Sequence, residues 1–238
     1  MKVTRFLLIF ILVVSFKNLS LANSIVAYET NIVADETGRI IPTYIYHSNI
    51  KNNLPVIIIN HGYTIKNTEY SFIANRLAAL GYLVVSIQHN LKSDPPLAKI
   101  TDIYKRREPM WKRGVQNISS VINYLKESCS FRDSKKIILI GHSNGGDISM
   151  MFAALYPQLV EKIISLDSLR YPFIDNYAIP VLTLRANDTV PDKKIFSNNS
   201  KNLQIITLND VKHIDMCDRG SSKSKNQVIN KILNFLKN

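Results

Sequence analysis

Short runs of consecutive apolar, mostly β-branched residues recur along this chain and alternate with segments of helical hydrophobic spacing. The clearest runs, as in strands buried on both faces, are 56–59, 83–87 and 137–140, of which 83–87 is interrupted only by Ser86. A segment of helical spacing follows each run in turn, at 70–80, 111–126 and 147–155. Because strands that alternate with helices pair in parallel through right-handed crossovers, the pattern predicts a mainly parallel sheet covered by helices on both faces.

The size of the chain fits one such domain. It has 238 residues, of which 46% are hydrophobic and 20% charged, so one full core is available and a disordered or coiled-coil chain is excluded. Because the chain has only two cysteines and no Cys/His cluster at zinc spacing, we expect no metal site. We also expect no cofactor. About eight strands are predicted, at 25–34, 40–46, 56–59, 83–87, 137–140, 163–166, 181–184 and 203–208. A fourth helix is predicted at 227–236, and a proline-rich, charged loop at 90–110.

The first 22 residues have the pattern of a secretory signal peptide. Lys2 and Arg5 precede the apolar run 6–16, which is too short to span a bilayer, and small residues at Ser20 and Ala22 suit a signal peptidase. We expect cleavage after Ala22, a single domain over 23–238, and a secreted or periplasmic protein. No cysteine directly follows the run, so we expect no lipid anchor.

The charge balance is basic. The chain has 30 Lys and Arg against 18 Asp and Glu, and removal of residues 1–22, with three basic residues and no acid, leaves a net charge of +9. Such a surface favours anionic partners, so a weak contact with an anionic membrane or glycan is one expectation. No nucleic-acid motif accompanies the basic clusters, and a solvated basic face that maintains solubility is the simpler interpretation. The sequence leaves the oligomeric state open.

One turn carries the chemistry. The strand at 137–140 runs into Gly141-His142-Ser143-Asn144-Gly145 and then into a helix, which places G-x-S-x-G between a strand and a helix as a nucleophile elbow requires. Bulky side chains in place of Gly141 or Gly145 would clash in so sharp a turn. The pattern predicts that the turn lifts the Ser143 hydroxyl into the open as a nucleophile.

With this elbow, further segments make the sequence resemble the α/β-hydrolase family over essentially the whole predicted mature chain. Asn60-His61-Gly62-Tyr63 looks like the family's H-G oxyanion segment, and Asn187-Asp188-Thr189-Val190-Pro191 resembles its acid turn. His213 follows the last strand, so the chain order Ser, Asp, His matches the family's order. The resemblance implies an α/β-hydrolase fold and a hydrolase, but it implies no particular substrate.

The remaining triad members follow from chemistry and from this resemblance. A serine hydroxyl needs a base, and His213 is the candidate, because the other four histidines lie in turn motifs, on an edge strand or at a strand end. A carboxylate must hold its imidazole in one tautomer. Asp188 stands where the family usually places that acid, and Asp167, after the preceding strand, is the rival.

Oxyanion and substrate contacts are also predicted. The backbone N–H groups of Tyr63 and Asn144 are the expected oxyanion donors. Substrate contacts are expected from Tyr63, Trp111, Arg170 and Arg185. Only fourteen residues, 167–180, separate two predicted strands where many family members insert a cap, so an open, shallow site is expected. The loop at 90–110, with Trp111, is the candidate for a substitute lid.

The two cysteines are expected to remain free thiols. Cys129 precedes the nucleophile strand and Cys217 lies in the His213 loop, at opposite ends of the predicted sheet. A strand of five residues spans roughly 17 Å, whereas a disulfide tolerates only about 7 Å between α-carbons.

These features predict a serine hydrolase that cleaves small-molecule esters of small or medium acids through an acyl-enzyme. Amide or peptide hydrolysis and acyl transfer use the same three residues and stay open as alternatives. A catalytically idle binding module for anionic surfaces is an alternative from another class, which the complete triad argues against.

Overall fold

A computed structural model of the chain describes residues 24–34, 37–48, 54–127, 136–174, 178–196 and 202–237. Its strands are β1 Ile25–Val33, β2 Ile40–Ser48, β3 Val56–Asn60, β4 Leu83–Ile87, β5 Ile137–His142, β6 Val160–Leu166, β7 Val181–Arg185 and β8 Leu203–Thr207. Its α-helices are α1 Ser71–Ala79, α2 Ile103–Glu127, α3 Asn144–Leu155 and α4 Ser222–Lys237. Two short 3-10 helices, Pro157–Leu159 and His213–Met216, lie between them.

All eight strands form one sheet in the order β1-β2-β4-β3-β5-β6-β7-β8. The β1–β2 and β2–β4 pairs are antiparallel, and every pair from β4 to β8 is parallel. The prediction of a mainly parallel sheet of about eight strands is therefore confirmed. In a parallel sheet the carboxyl ends of the strands share one edge, which brings the residues after β3, β5, β6 and β7 together.

Alternate residues of the central strands pack into two separate hydrophobic cores, one on each face of the sheet. Ile58 and Leu139 point to the face covered by α2 and α3, where Ile118 and Ile148 pack against them. Neighbouring strand residues such as Ile57 point to the opposite face, which α1 and α4 cover. Burial on both faces explains why β3, β4 and β5 are apolar at nearly every position before their carboxyl ends.

The predicted loop at 90–110 is wrong over its last eight residues, because α2 begins at Ile103. Asp102 caps this helix: its side chain accepts the Lys105 N–H at 3.1 Å, and its carbonyl accepts the Arg106 N–H at 3.0 Å. Pro109 lies inside the helix, and that proline had favoured a loop. The helical segment is amphipathic, with charged side chains on its solvent face.

Two other predictions fall wholly or partly on residues that the structure does not describe. The proposed signal peptide, residues 1–22, lies outside the described residues, and so does Cys129. Cys217 is a buried free thiol, whose pKa burial raises. Within the described residues, no helix has both the length and the apolar character needed to cross a membrane.

Candidate active site

Ser143 occupies a strained turn between β5 and α3. Its backbone has φ 51° and ψ −118°, in the region that favours glycine. The flanking glycines are sterically required, since a Cβ on Gly145 would overlap the Asn60 carbonyl of β3, and one on Gly141 would overlap the Gly145 carbonyl. The turn thus has the geometry predicted for a nucleophile elbow, with Ser143 partly exposed at its tip.

His213 approaches this turn from the segment after β8. Its ring packs against that of His142, the residue before Ser143, with ring centroids 4.8 Å apart. His213 Nδ1 lies 2.6 Å from Oδ2 of the fully buried Asp167. Because a carboxylate only accepts, Nδ1 carries the proton, and Nε2 is left as the basic ring nitrogen.

Asp167 is held by donors on both carboxylate oxygens. Oδ1 lies 2.8 Å from Arg185 Nη2 and accepts the Ala186 N–H, while Oδ2 also accepts the Thr189 hydroxyl at 2.6 Å. Burial opposes ionisation of Asp167, but the hydrogen bond from His213 and the Arg185 charge outweigh it and lower the pKa. The carboxylate is therefore ionised and fixed opposite the imidazole.

This geometry corrects the preferred triad acid. Asp188 was predicted to orient His213 through its ring, but its Oδ1 accepts the His213 backbone N–H at 2.7 Å instead. The structure brings the rival, Asp167, to the imidazole. Asp167 has φ 56° and follows β6, the neighbour of β5 in the sheet, so a sharp turn carries its side chain to the His213 loop.

The two residues predicted to supply oxyanion donors, Asn144 and Tyr63, lie at the carboxyl edge of the sheet. Asn144 is the first residue of α3, where backbone N–H groups have no partner within the helix. Tyr63 follows β3 at the same edge of the sheet, and the residue is 39% exposed. Donors after β3 and at the start of α3 suit an oxyanion that forms above Ser143.

The predicted substrate contacts fare differently. Trp111 is completely buried and its Nε1–H donates to Asn144 Oδ1 at 2.9 Å, so it supports the elbow and does not line an open site. Arg185 is also buried, against Asp167. Arg170 is partly exposed and pairs with Asp192 at 2.5 Å. Trp111 and Arg185 were wrong as substrate contacts because tertiary packing had already used their polar groups.

A buried hydrogen-bond chain, which the sequence did not reveal, links the three loops of the site. The Gly62 N–H donates to the Tyr70 hydroxyl at 2.9 Å, and that hydroxyl lies 2.8 Å from His142 Nδ1. Burial lowers the pKa of His142 to about 3, so the ring is neutral. Nδ1 accepts from Tyr70, and Nε2–H donates to the His213 carbonyl at 3.0 Å. Tyr70 and His142 thus fix the oxyanion segment and the His213 loop relative to Ser143.

Replacing Tyr70 by Phe is expected to lower kcat about 10-fold to 100-fold, with a smaller change in KM. Without the Tyr70 hydroxyl, the Gly62 N–H and His142 Nδ1 are buried without a partner, which costs about 1–3 kcal/mol and loosens the oxyanion segment. Steady-state kinetics and thermal unfolding measure the two effects. Tyr82→Phe is the matched control, because no hydrogen bond of its hydroxyl is present among the described residues. Equal kinetics for both variants would contradict a positioning role for Tyr70.

A second buried network supports the elbow from beneath. His89 lies 2.8 Å from Asn60 Oδ1, and Asn60 Nδ2 donates to the Ser149 hydroxyl, which donates to the Gly145 carbonyl. Burial drives the pKa of His89 well below its usual value, so this network is neutral.

Among the described residues, no group of three or more His, Cys, Asp or Glu side chains is placed to hold a metal ion.

Comparisons with known proteins agree with this geometry. A family model described as Chlorophyllase matches residues 16–167. Chlorophyllase-1 of Arabidopsis thaliana is 25% identical over 142 residues, which cover 57% of this chain and 40% of the relative. Cutinase 2 of Thermobifida cellulosilytica is 25% identical over 119 residues, covering 50% and 42%. The chain thus spans about two fifths of the length of these curated relatives.

Solved structures with the same fold include two with nearly complete overlap. Est1E from Butyrivibrio proteoclasticus superposes with a TM-score of 0.62 at 17% identity, covering 88% of this chain and 99% of that one. A ferulic acid esterase from Streptomyces cinnamoneus superposes with a TM-score of 0.68 at 12% identity, covering 90% and 89%. The predicted resemblance to α/β-hydrolases is confirmed, and the named activities of these relatives are those of hydrolases, as the sequence predicted.

Proposed function

This chain belongs to the chlorophyllase family of α/β-hydrolases, and from that premise we propose that it is a serine hydrolase of carboxylic esters with Ser143, His213 and Asp167 as its catalytic triad. The observation that carries the proposal is the 2.6 Å contact between His213 Nδ1 and Asp167, on a ring packed beside the strained Ser143 turn. Esters are the proposed substrates because the relatives include a cutinase and a ferulic acid esterase.

The proposed reaction proceeds through an acyl-enzyme. Ser143 Oγ attacks the ester carbonyl as its proton passes to His213 Nε2, and Asp167 stabilises the resulting imidazolium. The backbone N–H groups of Asn144 and Tyr63 receive the negative oxygen. Collapse breaks the bond to the alcohol, which leaves with the proton from His213. Water, deprotonated by the same imidazole, then releases the acid and frees Ser143.

The acyl group is proposed to be small or medium in size. The connection from β6 to β7 has only fourteen residues, 167–180, where a large cap would be inserted. The first turns of α2 occupy the region predicted for a lid, and Trp111 of that helix is buried. A long acyl chain would have little apolar surface to cover it.

Hydrolysis of p-nitrophenyl esters from acetyl to palmitoyl tests the proposal. The wild type is expected to cleave the acetyl to octanoyl esters fastest and to be labelled by a fluorophosphonate. Ser143→Ala should abolish both signals without lowering the thermal unfolding temperature by more than a few degrees. A wild type that is no faster than Ser143→Ala on every ester, and that is not labelled, would refute the esterase and favour an idle binding module.

A further inference from the structure

The first turns of α2 form one wall beside the nucleophile. Tyr104, Arg107 and Trp111 recur at helical spacing, so they lie along one face of α2. Trp111 is anchored to Asn144, the residue after Ser143, through its indole N–H. Tyr104 stacks on Tyr171 with ring centroids 6.0 Å apart. Arg107 lies between these two aromatic anchors, about one helical turn from the residue that holds the elbow.

On its other side, Arg107 contacts the oxyanion segment. Its guanidinium carbon lies 4.3 Å from the centroid of the Tyr63 ring, a cation–π contact. Tyr63 also carries one of the two proposed oxyanion donors. The cation–π contact with Tyr63 therefore holds the guanidinium of Arg107 at the oxyanion side of the site, while Trp111 anchors the same helix at Asn144.

Among the arginines around the site, Arg107 differs in its charge balance. Arg170 pairs with Asp192, and Arg185 pairs with Asp167. Within the described part of the chain, no carboxylate lies at ion-pair distance from Arg107. A half-buried guanidinium held by an aromatic ring, with its N–H donors uncommitted to a carboxylate, is suited to bind one from a ligand.

Asp147 is a buried carboxyl group that acts electrostatically on Arg107, but its hydrogen bonds are made to other residues. Its Oδ1 accepts the backbone N–H groups of Arg170 at 3.0 Å and Tyr171 at 2.9 Å. Burial raises the pKa of Asp147 to about 7, so it offers only part of a negative charge near neutral pH. Asp147 therefore braces the loop after β6, and it acts on the charge of Arg107 from beyond ion-pair distance.

We propose that Arg107 is a specificity-determining residue that binds a carboxylate on the acyl part of the substrate, so that the preferred esters are monoesters of short dicarboxylic acids. The inference rests on the proposed function. The acyl side is assigned because Arg107 contacts the oxyanion segment after β3, whereas the alcohol must leave beside His213, which follows β8 on the opposite side of β5 in the sheet.

Two esters of equal chain length test the proposal, mono-p-nitrophenyl glutarate and p-nitrophenyl pentanoate. The wild type is expected to have the higher kcat/KM for the glutarate ester. Arg107→Gln should lower the ratio of the two kcat/KM values about 10-fold to 100-fold, mainly through KM of the glutarate ester, and Arg107→Lys should lower it less. The control Lys105→Gln removes the same charge from an exposed position of α2 and should leave the ratio unchanged within about twofold.

A binding measurement separates this proposal from the proposed function. Glutarate itself, titrated calorimetrically, is expected to bind the wild type and Lys105→Gln but not Arg107→Gln. If the wild type cleaves the pentanoate ester and Arg107→Gln leaves the ratio of the two kcat/KM values unchanged, the carboxylate site is overturned and the esterase proposal stands. Glutarate binding that depends on Arg107, without cleavage of either ester, would support the site and refute the esterase.

Discussion

Replacing Asp167 by Asn is expected to lower kcat for a p-nitrophenyl ester by about 10⁴-fold, because an amide that donates to His213 Nδ1 would stabilise the wrong tautomer of the imidazole. The buried Arg185 would also lose the carboxylate that neutralises it. Single-turnover kinetics at saturating ester measure the chemical step directly.

Asp188→Asn is the matched control for this result. Its side chain meets only the His213 backbone N–H among the described hydrogen bonds, and an amide oxygen can accept that bond as well. We expect kcat to fall by less than about tenfold. The reverse order, with Asp188→Asn the more damaging change, would mean that Asp188 and not Asp167 serves the imidazole during the reaction.

Acid is expected to destabilise the fold steeply, because three histidines near the site are buried and neutral. Burial lowers the pKa of His61 to about 4 and that of His142 to about 3, and it also lowers the pKa of His89 well below its usual value. In the unfolded chain these groups titrate near pH 6.5. The unfolded state therefore binds more protons below that pH, and the free energy of unfolding falls as the pH drops from about 6.5 towards 4.

The number of buried histidines sets how steeply the free energy of unfolding falls with pH. Each such histidine contributes up to about 1.4 kcal/mol per pH unit. Asp147 acts in the opposite direction, because its pKa is raised to about 7 and the folded state gains a proton there first. The three histidines less Asp147 give a net uptake of two protons on unfolding, so the free energy of unfolding falls by about 2.7 kcal/mol per pH unit between about pH 6 and pH 5.

Urea unfolding at pH 7.5, 6.5, 5.5 and 4.5 measures this dependence. Asp147→Asn removes the opposing group and should make the loss steeper between pH 7 and 5, by about 1.4 kcal/mol per pH unit. A free energy of unfolding that stays constant from pH 7.5 to 5 would contradict the neutral, buried state of these histidines.

Local patterns were sufficient to predict the elements that carry most of the fold. The apolar runs of β3, β4 and β5 predicted buried strands, because side chains that point to either face of a covered sheet are mostly apolar. The start of α2 was missed because Pro109 and the surrounding charges outweigh the signal of its cap, Asp102, although the cap itself was readable in the sequence.

The acid of the triad shows why local patterns stop short at the site. Asp167 and Asp188 each follow a strand at the same edge of the sheet, and the acid-turn pattern that favoured Asp188 does not show which carboxylate reaches the imidazole. The choice depends on partners distant in sequence, Arg185 and Thr189, which meet Asp167 only after β6 and β7 have paired.

The sequence by itself determined the alternating fold and the nucleophile turn, because hydrophobic period, glycine placement and strand-turn-helix order are local properties of the chain. Only the tertiary structure decided that Asp167 faces His213, that Trp111 is buried against Asn144, and that Arg107 is left without a carboxylate partner among the described residues. These outcomes depend on which distant groups share one buried volume. A buried polar group is costly without a partner, and tertiary packing decides which partner it meets.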